Sequence, residues 1–139
     1  MAVDCIEKAL VNILQNDAAV ANVVAARIYP ETMPQGASLP VIIYHIISGA
    51  WDITMDGEMN LARSRFQFDQ WAAEYKQARE LSDAVRAALD GYSGTVGTVE
   101  IEAIRLLDED DLFADLPDVE GLRRSGKRLD FEIWYKYIS

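Results

Sequence analysis

Leu39-Pro40-Val41-Ile42-Ile43-Tyr44-His45-Ile46-Ile47-Ser48 and Arg63-Ser64-Arg65-Phe66-Gln67-Phe68-Asp69-Gln70-Trp71 are two β-patterned stretches that feed a helical pattern from about Glu74 to Leu89. The first stretch is apolar on both phases, with Ile42, Tyr44 and Ile46 on one side and Val41, Ile43 and Ile47 on the other. Such a strand is buried on both faces, or is central with its second face covered. In the second stretch Phe66 and Phe68 alternate with Arg63, Arg65, Gln67 and Asp69, which predicts one dry face and one wet face. Asp52 to Asn60, polar and glycine-containing, reads as the hairpin loop between them.

Outward from this centre, Val3, Ile6, Leu10, Ile13 and Leu14 recur at helical spacing. Asp17 is placed to cap a short second helix that runs through Val24. Arg27-Ile28-Tyr29-Pro30 leaves that helix in extended form, and Pro34, Gly36 and Pro40 predict a loop. In the later helix Ala78, Leu81, Val85, Ala88 and Leu89 form one stripe, and Gly91 suits its left-handed stop. Gly91, Gly94 and Gly97 read as a turn before a strand from Val99 to Leu107, whose apolar phase shifts at Ile104 as a bulge would make it do. A last strand alternates Leu129, Phe131, Ile133, Tyr135 and Tyr137 with polar residues. The expected fold is α+β: a four-stranded antiparallel sheet with helices packed on one face, in the order α-α-β-β-α-β-β. One domain over residues 1–139 is expected, since no repeat or linker divides the chain.

A net charge of −10 opposes tight nucleic-acid binding, which needs clustered Lys and Arg. No apolar run approaches the roughly 20 residues of a membrane helix, so no membrane partner is expected. The start, Met1 to Lys8, carries charges where a signal peptide has its apolar core, which places the protein in a cytoplasm.

Chemistry finds little to work with. His45 is the only histidine and Cys5 the only cysteine, so no histidine-rich or cysteine-based metal cage can be assembled. His45 reads as a satisfied core or interface residue, and Cys5 as a small buried hydrophobe. Asp108-Glu109-Asp110-Asp111 with Asp115, Asp118 and Glu120 is dense enough to suggest Ca²⁺ or Mg²⁺, but Leu112 and Phe113 break the calcium-loop pattern. A solvated or partner-facing loop is the preferred reading. Gly91, Gly94 and Gly97 run from helix to strand, the reverse of a phosphate-binding loop. No catalytic residue and no cofactor is assigned.

What remains is surface. Trp71 and Trp134 fall on the outward phase of their strands, and Trp51 lies at a turn edge. Arg63 and Arg65 share the wet face with Trp71. Seven acidic residues between Asp108 and Glu120, including Asp110, Asp111 and Asp115, precede the basic block of Arg123, Arg124, Lys127 and Arg128. These blocks either pair between neighbouring copies or fold back on each other. The candidate subunit or partner interface is thus Trp51, Arg63, Arg65, Trp71, Asp108, Asp110, Asp111, Asp115, Arg123, Arg124 and Trp134.

Arg27-Ile28-Tyr29-Pro30, Pro34 to Tyr44, Arg63 to Ala72, Ala84-Val85-Arg86-Ala87-Ala88-Leu89 and Leu129-Asp130-Phe131-Glu132-Ile133-Trp134-Tyr135 follow one another in an order that resembles the tail-completion (tail-terminator, tail-to-head joining) proteins of long-tailed phages and prophages. The resemblance implies a ring, commonly a hexamer, on the head-proximal end of the tail tube, which stops tube growth and docks the head connector. The implied partners are other copies of the chain, the tail tube protein and a head connector or stopper, with DNA passing through unbound. Competing readings are another small connector or stopper, a tail assembly chaperone, a metal-dependent enzyme using Asp108 to Asp115, and a generic binding domain.

Overall fold

The computed structural model describes residues 5–34, 36, 38–53, 60–115 and 123–137. The first residues form two helices, α1 (Ile6–Gln15) and α2 (Ala18–Val24). Asp17 Oδ1 accepts a 3.1 Å hydrogen bond from the Val20 N–H, the expected cap of α2. A short strand β1 (Ile28–Pro30) follows, then the long hairpin of β2 (Val41–Ile53) and β3 (Asn60–Ala72). Helix α3 (Tyr75–Leu89) leads to β4 (Gly94–Val96) and a second long hairpin, β5 (Val99–Asp115) and β6 (Arg123–Tyr137).

The expected four-stranded antiparallel sheet is corrected by the observed pairing. The sheet has six strands in the order β1-β2-β3-β6-β5-β4, and it is mixed, because β1 runs parallel to β2. The two additional strands are three residues each, too short for an alternation to show in sequence. β1 is held by backbone bonds, Ile42 N–H to the Arg27 carbonyl (3.0 Å) and Glu31 N–H to the Tyr44 carbonyl (2.9 Å). The Arg27 side chain reinforces the join, donating to the carbonyls of Pro40 (2.9 Å) and Val23 (3.0 Å). β4 lies in the glycine-rich stretch expected to be turn alone. Its hairpin with β5 pairs Val96 with Val99, and Gly97 takes the positive φ of +60° that the tight turn requires.

Acidic residues expected in a loop are instead strand. β5 runs without a loop through Asp108 to Asp115, and its pairing with β6 extends to Asp115 opposite Arg123. The register shifts between Ile101 and Ala103, where the apolar phase of the sequence changes, and again between Leu106 and Asp108.

Register sets the two faces. Ile42, Tyr44, Phe66, Phe68, Leu129, Phe131, Ile133, Ile101 and Ile104 are buried on one of them. Helix α3 packs on β6, β3 and β5, while α1 and α2 pack against α3. Phe68 meets Phe131 edge-on at 5.9 Å between ring centroids, and burying each such ring contributes about 1.5–3 kcal/mol. The double burial expected for β2 holds from Val41 to Tyr44 only. Beyond it the register shifts between Ile46 and Ser48, and Ile46 and Ile47 are both exposed.

Candidate functional site: the open sheet face

The second face of the sheet is a ladder of charges and half-buried aromatics crossing β2, β3, β6 and β5. In register across β3 and β6 stand Arg63 with Trp134, Arg65 with Glu132, Gln67 with Asp130, Asp69 with Arg128, and Trp71 with Gly126. Alternation puts all of them on the face away from the phenylalanines.

Asp69 anchors the ladder. It is buried, yet it accepts two hydrogen bonds from Arg128, from Nε to Oδ1 at 2.8 Å and from Nη2 to Oδ2 at 3.0 Å. This bidentate geometry offsets the desolvation of the carboxylate. The hydrogen bond to Asp69 holds the Arg128 pKa above its usual value, against the opposing effect of burial. His45 lies beside the pair, with Nε2 3.5 Å from Asp69 Oδ2 and Nδ1 3.3 Å from Glu31 Oε2. It is thus a partly exposed residue of β2 between two carboxylates and not a core residue. Glu31, Thr32 and Met33 come round β1 to line a hollow with Ile43, His45, Asp69 and Trp71, which accounts for the apolar outer phase of β2 at Ile43.

Farther along, Arg65 Nη2 donates to Asp130 Oδ2 at 2.9 Å. The other oxygen of Asp130 is buried without a hydrogen-bond partner among the described residues. The Arg63 guanidinium sits 5.2 Å from the Trp134 ring centroid, and Trp134 Nε1 donates to Glu132 at 3.1 Å. Both tryptophans expected to face partners therefore already have intramolecular work. Trp71 covers Gly126, and Trp134 carries Arg63.

The acidic segment splits between the two faces. Glu109 and Asp111 face the helices, where Lys127 Nζ lies 3.6 Å from Glu109 and 3.2 Å from Asp111. Arg86 on α3 approaches Glu109 at 3.9 Å, and the Tyr75 hydroxyl donates to Asp111 at 3.3 Å. Burial opposes the Lys127 charge, but the Asp111 hydrogen bond and the Glu109 charge outweigh it and raise the Lys127 pKa. Asp108 and Asp110 project from the other phase and are exposed. The charge of Asp108 is the main cause raising the Asp110 pKa. Of the two ways the opposite-sign blocks could pair, Lys127 takes the intramolecular one, with Glu109 and Asp111, whereas Arg128 pairs with Asp69 outside the acidic block.

The backbones of Trp51, Asp115, Arg123 and Arg124 lie in β2, β5 and β6, and their side chains fall outside the described residues, as do 54–59 and 116–120 of the two expected loops. Among the described residues no group of three or more His, Cys, Asp or Glu is placed to hold a metal ion. The ladder partners His45, Arg128 and Asp130 are not among the candidate interface residues read from the sequence, although His45 reads there as a core or interface residue and Arg128 as part of the basic block. The signal that could have found them is opposite charge in register between β3 and β6, which needs the strand pairing first.

The arrangement leaves one face of the sheet packed by helices and the other as a polar wall. The family model for tail completion protein gp17 matches residues 8–136, and the chain belongs to that family. With membership comes a structural or assembly role in the phage tail. A chain of a solved particle described as "Virion of native gene transfer agent (GTA) particle" shares the fold, with a TM-score of 0.67 at 19% identity over 94% of this chain and 93% of that one. No curated protein matches the sequence.

Proposed function

We propose that the protein is a single-domain tail terminator, copies of which assemble as a ring, a hexamer, on the head-proximal end of the tail tube. The ring stops tube growth and presents the surface that receives the head connector. It carries out no chemistry. The observation that carries this reading is the family match running from α1 to β6, on a fold whose second sheet face is a rigid polar wall. Exposed groups on that wall, Arg63, Arg65, Asp108 and Asp110, are proposed to meet the tube or the connector. The net charge of −10 fits a channel through which DNA slides without adhering. The proposed site of action is the virion tail, reached after assembly in the host cytoplasm.

The test is to remove the gene from the phage and measure tails by electron microscopy. Tails of irregular, excessive length that fail to join heads are expected. Tails of normal length that remain unjoined would make the protein a connector or stopper instead. Absence of any tail would make it a chaperone.

A further inference from the structure

Among the described residues two stretches of strand edge are left open, and they lie diagonally opposite each other. β1 pairs with β2 only at Ile42, Ile43 and Tyr44, and among the described residues no strand lies on the side of β2 away from β3 from Ile46 to Ile53. On the other side β4 pairs with β5 only from Val99 to Ile101. Asp90 and Gly91 extend that cover by two bonds, Gly91 N–H to the Ile104 carbonyl (2.8 Å) and Leu106 N–H to Asp90 Oδ1 (3.0 Å). Past Leu106 no described strand flanks β5 on the side away from β6, and the Glu109 N–H donates to the carboxylate of Asp108 at 2.9 Å. An uncovered edge presents a row of N–H and C=O groups that another strand can pair with.

Each open edge begins at a register irregularity, around Ile47 in β2 and around Leu107 in β5. Ile46, Ile47 and Leu107 are 44%, 49% and 39% exposed, three of the five large hydrophobics so exposed among the described residues. Among the described residues no element buries them.

We infer that these edges are the two halves of one contact: the β2 edge of one copy pairs with the β5 edge of the next, so that the sheet continues from subunit to subunit. The inference rests on the oligomeric reading above and names the surface that would build the oligomer. Strands β2, β3, β6 and β5 alternate in direction, so β2 and β5 run oppositely. Sheets laid side by side with the same face outward therefore meet as an antiparallel pair. Pairing of β5 with β5 would set two runs of Asp108-Glu109-Asp110-Asp111 against each other, which like charge disfavours. The open part of β2 carries one acidic residue, Asp52, and is otherwise apolar or neutral.

The diagonal placement also suits closure. Ala50 is level with Ala103 through Arg63 and Trp134, whereas the open stretch of β5 centres near Asp111. Joining the two needs a stagger of about seven residues, roughly 24 Å. Across the four strands of the repeating unit, about 19 Å wide, this slants the strands by roughly 50°. That is close to the slant of about 35–45° at which sheets close on themselves. A head-to-tail contact of this kind closes by rotation into a ring.

The test uses the full chain carrying Cys5→Ser, with Ile47→Cys and Ala114→Cys made singly, since setting Ala50 opposite Asp111 in an antiparallel pair brings positions 47 and 114 opposite each other. Oligomers are first assembled alone or on purified tail tubes and seen by electron microscopy, then treated with a short bis-maleimide. The expected result is cross-linked dimers only when the two single variants are mixed, and a ladder of higher species from the double variant. Oligomers that form but do not cross-link, or that cross-link within Ile47→Cys or Ala114→Cys alone, overturn the edge pairing while leaving the ring intact. Absence of oligomers with or without tubes overturns both. As a second readout, Ile47→Lys and Leu107→Lys should weaken association at least tenfold without moving the monomer's melting temperature. Unchanged association by both overturns the inference.

Discussion

Gly126→Ala is the sharpest probe of how the open face is built. Gly126 stands opposite Trp71, and the indole lies across it: a Cβ at this position would come within 2.7 Å of Trp71 Cε3 and 3.0 Å of Cδ2 and Cζ3. Those atoms belong to the fused ring, so no flexible tip can swing aside. The indole would have to retreat by about 1 Å to reach ordinary contact at about 3.5–4.0 Å. Its retreat would disturb the hollow it shares with Ile43 and Asp69. Overpacking of this kind costs about 1–3 kcal/mol. Alanine recovers about 0.5–1 kcal/mol relative to glycine within a strand, because it has less backbone freedom to lose. The net destabilisation centres on about 1 kcal/mol and reaches about 2.5 kcal/mol at most, the central figure being a fall of roughly 3–5 °C in Tm for a protein of this size. Circular dichroism melts measure it, and the double variant Gly126→Ala/Trp71→Leu supplies the control. With the ring gone, the alanine should do no harm, giving a coupling of about 1 kcal/mol or more. A Gly126→Ala protein as stable as the parent, or strictly additive effects in the cycle, would refute the packing argument.

Phe131→Ala empties a fully buried position against Phe68 and should cost about 3–5 kcal/mol, read as a lower urea midpoint. Asp69→Ala leaves Arg128 without its bidentate partner; because that guanidinium is about one-third exposed, a loss of about 1–3 kcal/mol is expected, below the range for fully buried pairs. Gln70 is completely buried with neither amide atom hydrogen-bonded among the described residues, so Gln70→Met should leave stability unchanged or raise it by about 1–2 kcal/mol in the same assay. For Asp110, a folded-state pKa above its unfolded value means that ionisation works against the fold. Wild-type stability from this group is present at acid pH and lost as pH rises through the carboxylate range. Asp110→Asn should therefore melt higher than wild type at neutral pH, with the gap narrowing on acidification; a gap that widens instead would contradict the Asp108–Asp110 repulsion.

Elements long enough to repeat were legible. The helical stripe ending at Leu89, the alternation around Phe66 and Phe68, and that from Leu129 to Tyr137 each span several periods, so local hydrophobic pattern is enough to declare them. β1 and β4 were not legible, since three residues cannot show a period and their identity as strands lies in bonds to β2 and β5. The acidic run misled for a different reason. Four consecutive carboxylates oppose strand formation locally, and they are tolerated because Lys127 and Arg86 neutralise the inner pair while the outer pair remains in solvent.

The candidate interface divides along the same line. That Arg63, Arg65, Trp71 and Trp134 share one face followed from alternation alone, a property of each strand by itself. That Trp71 shields a glycine, Trp134 carries an arginine and Arg128 clamps Asp69 depended on β3 lying beside β6, although 50 residues separate Ala72 from Arg123. Sequence by itself determined the segments, their faces and the family resemblance, because these rest on short-range periodicity and on the order of motifs. Only the tertiary structure decided which charges cancel within the chain and which strand edges stay open, because both depend on register between strands distant in sequence.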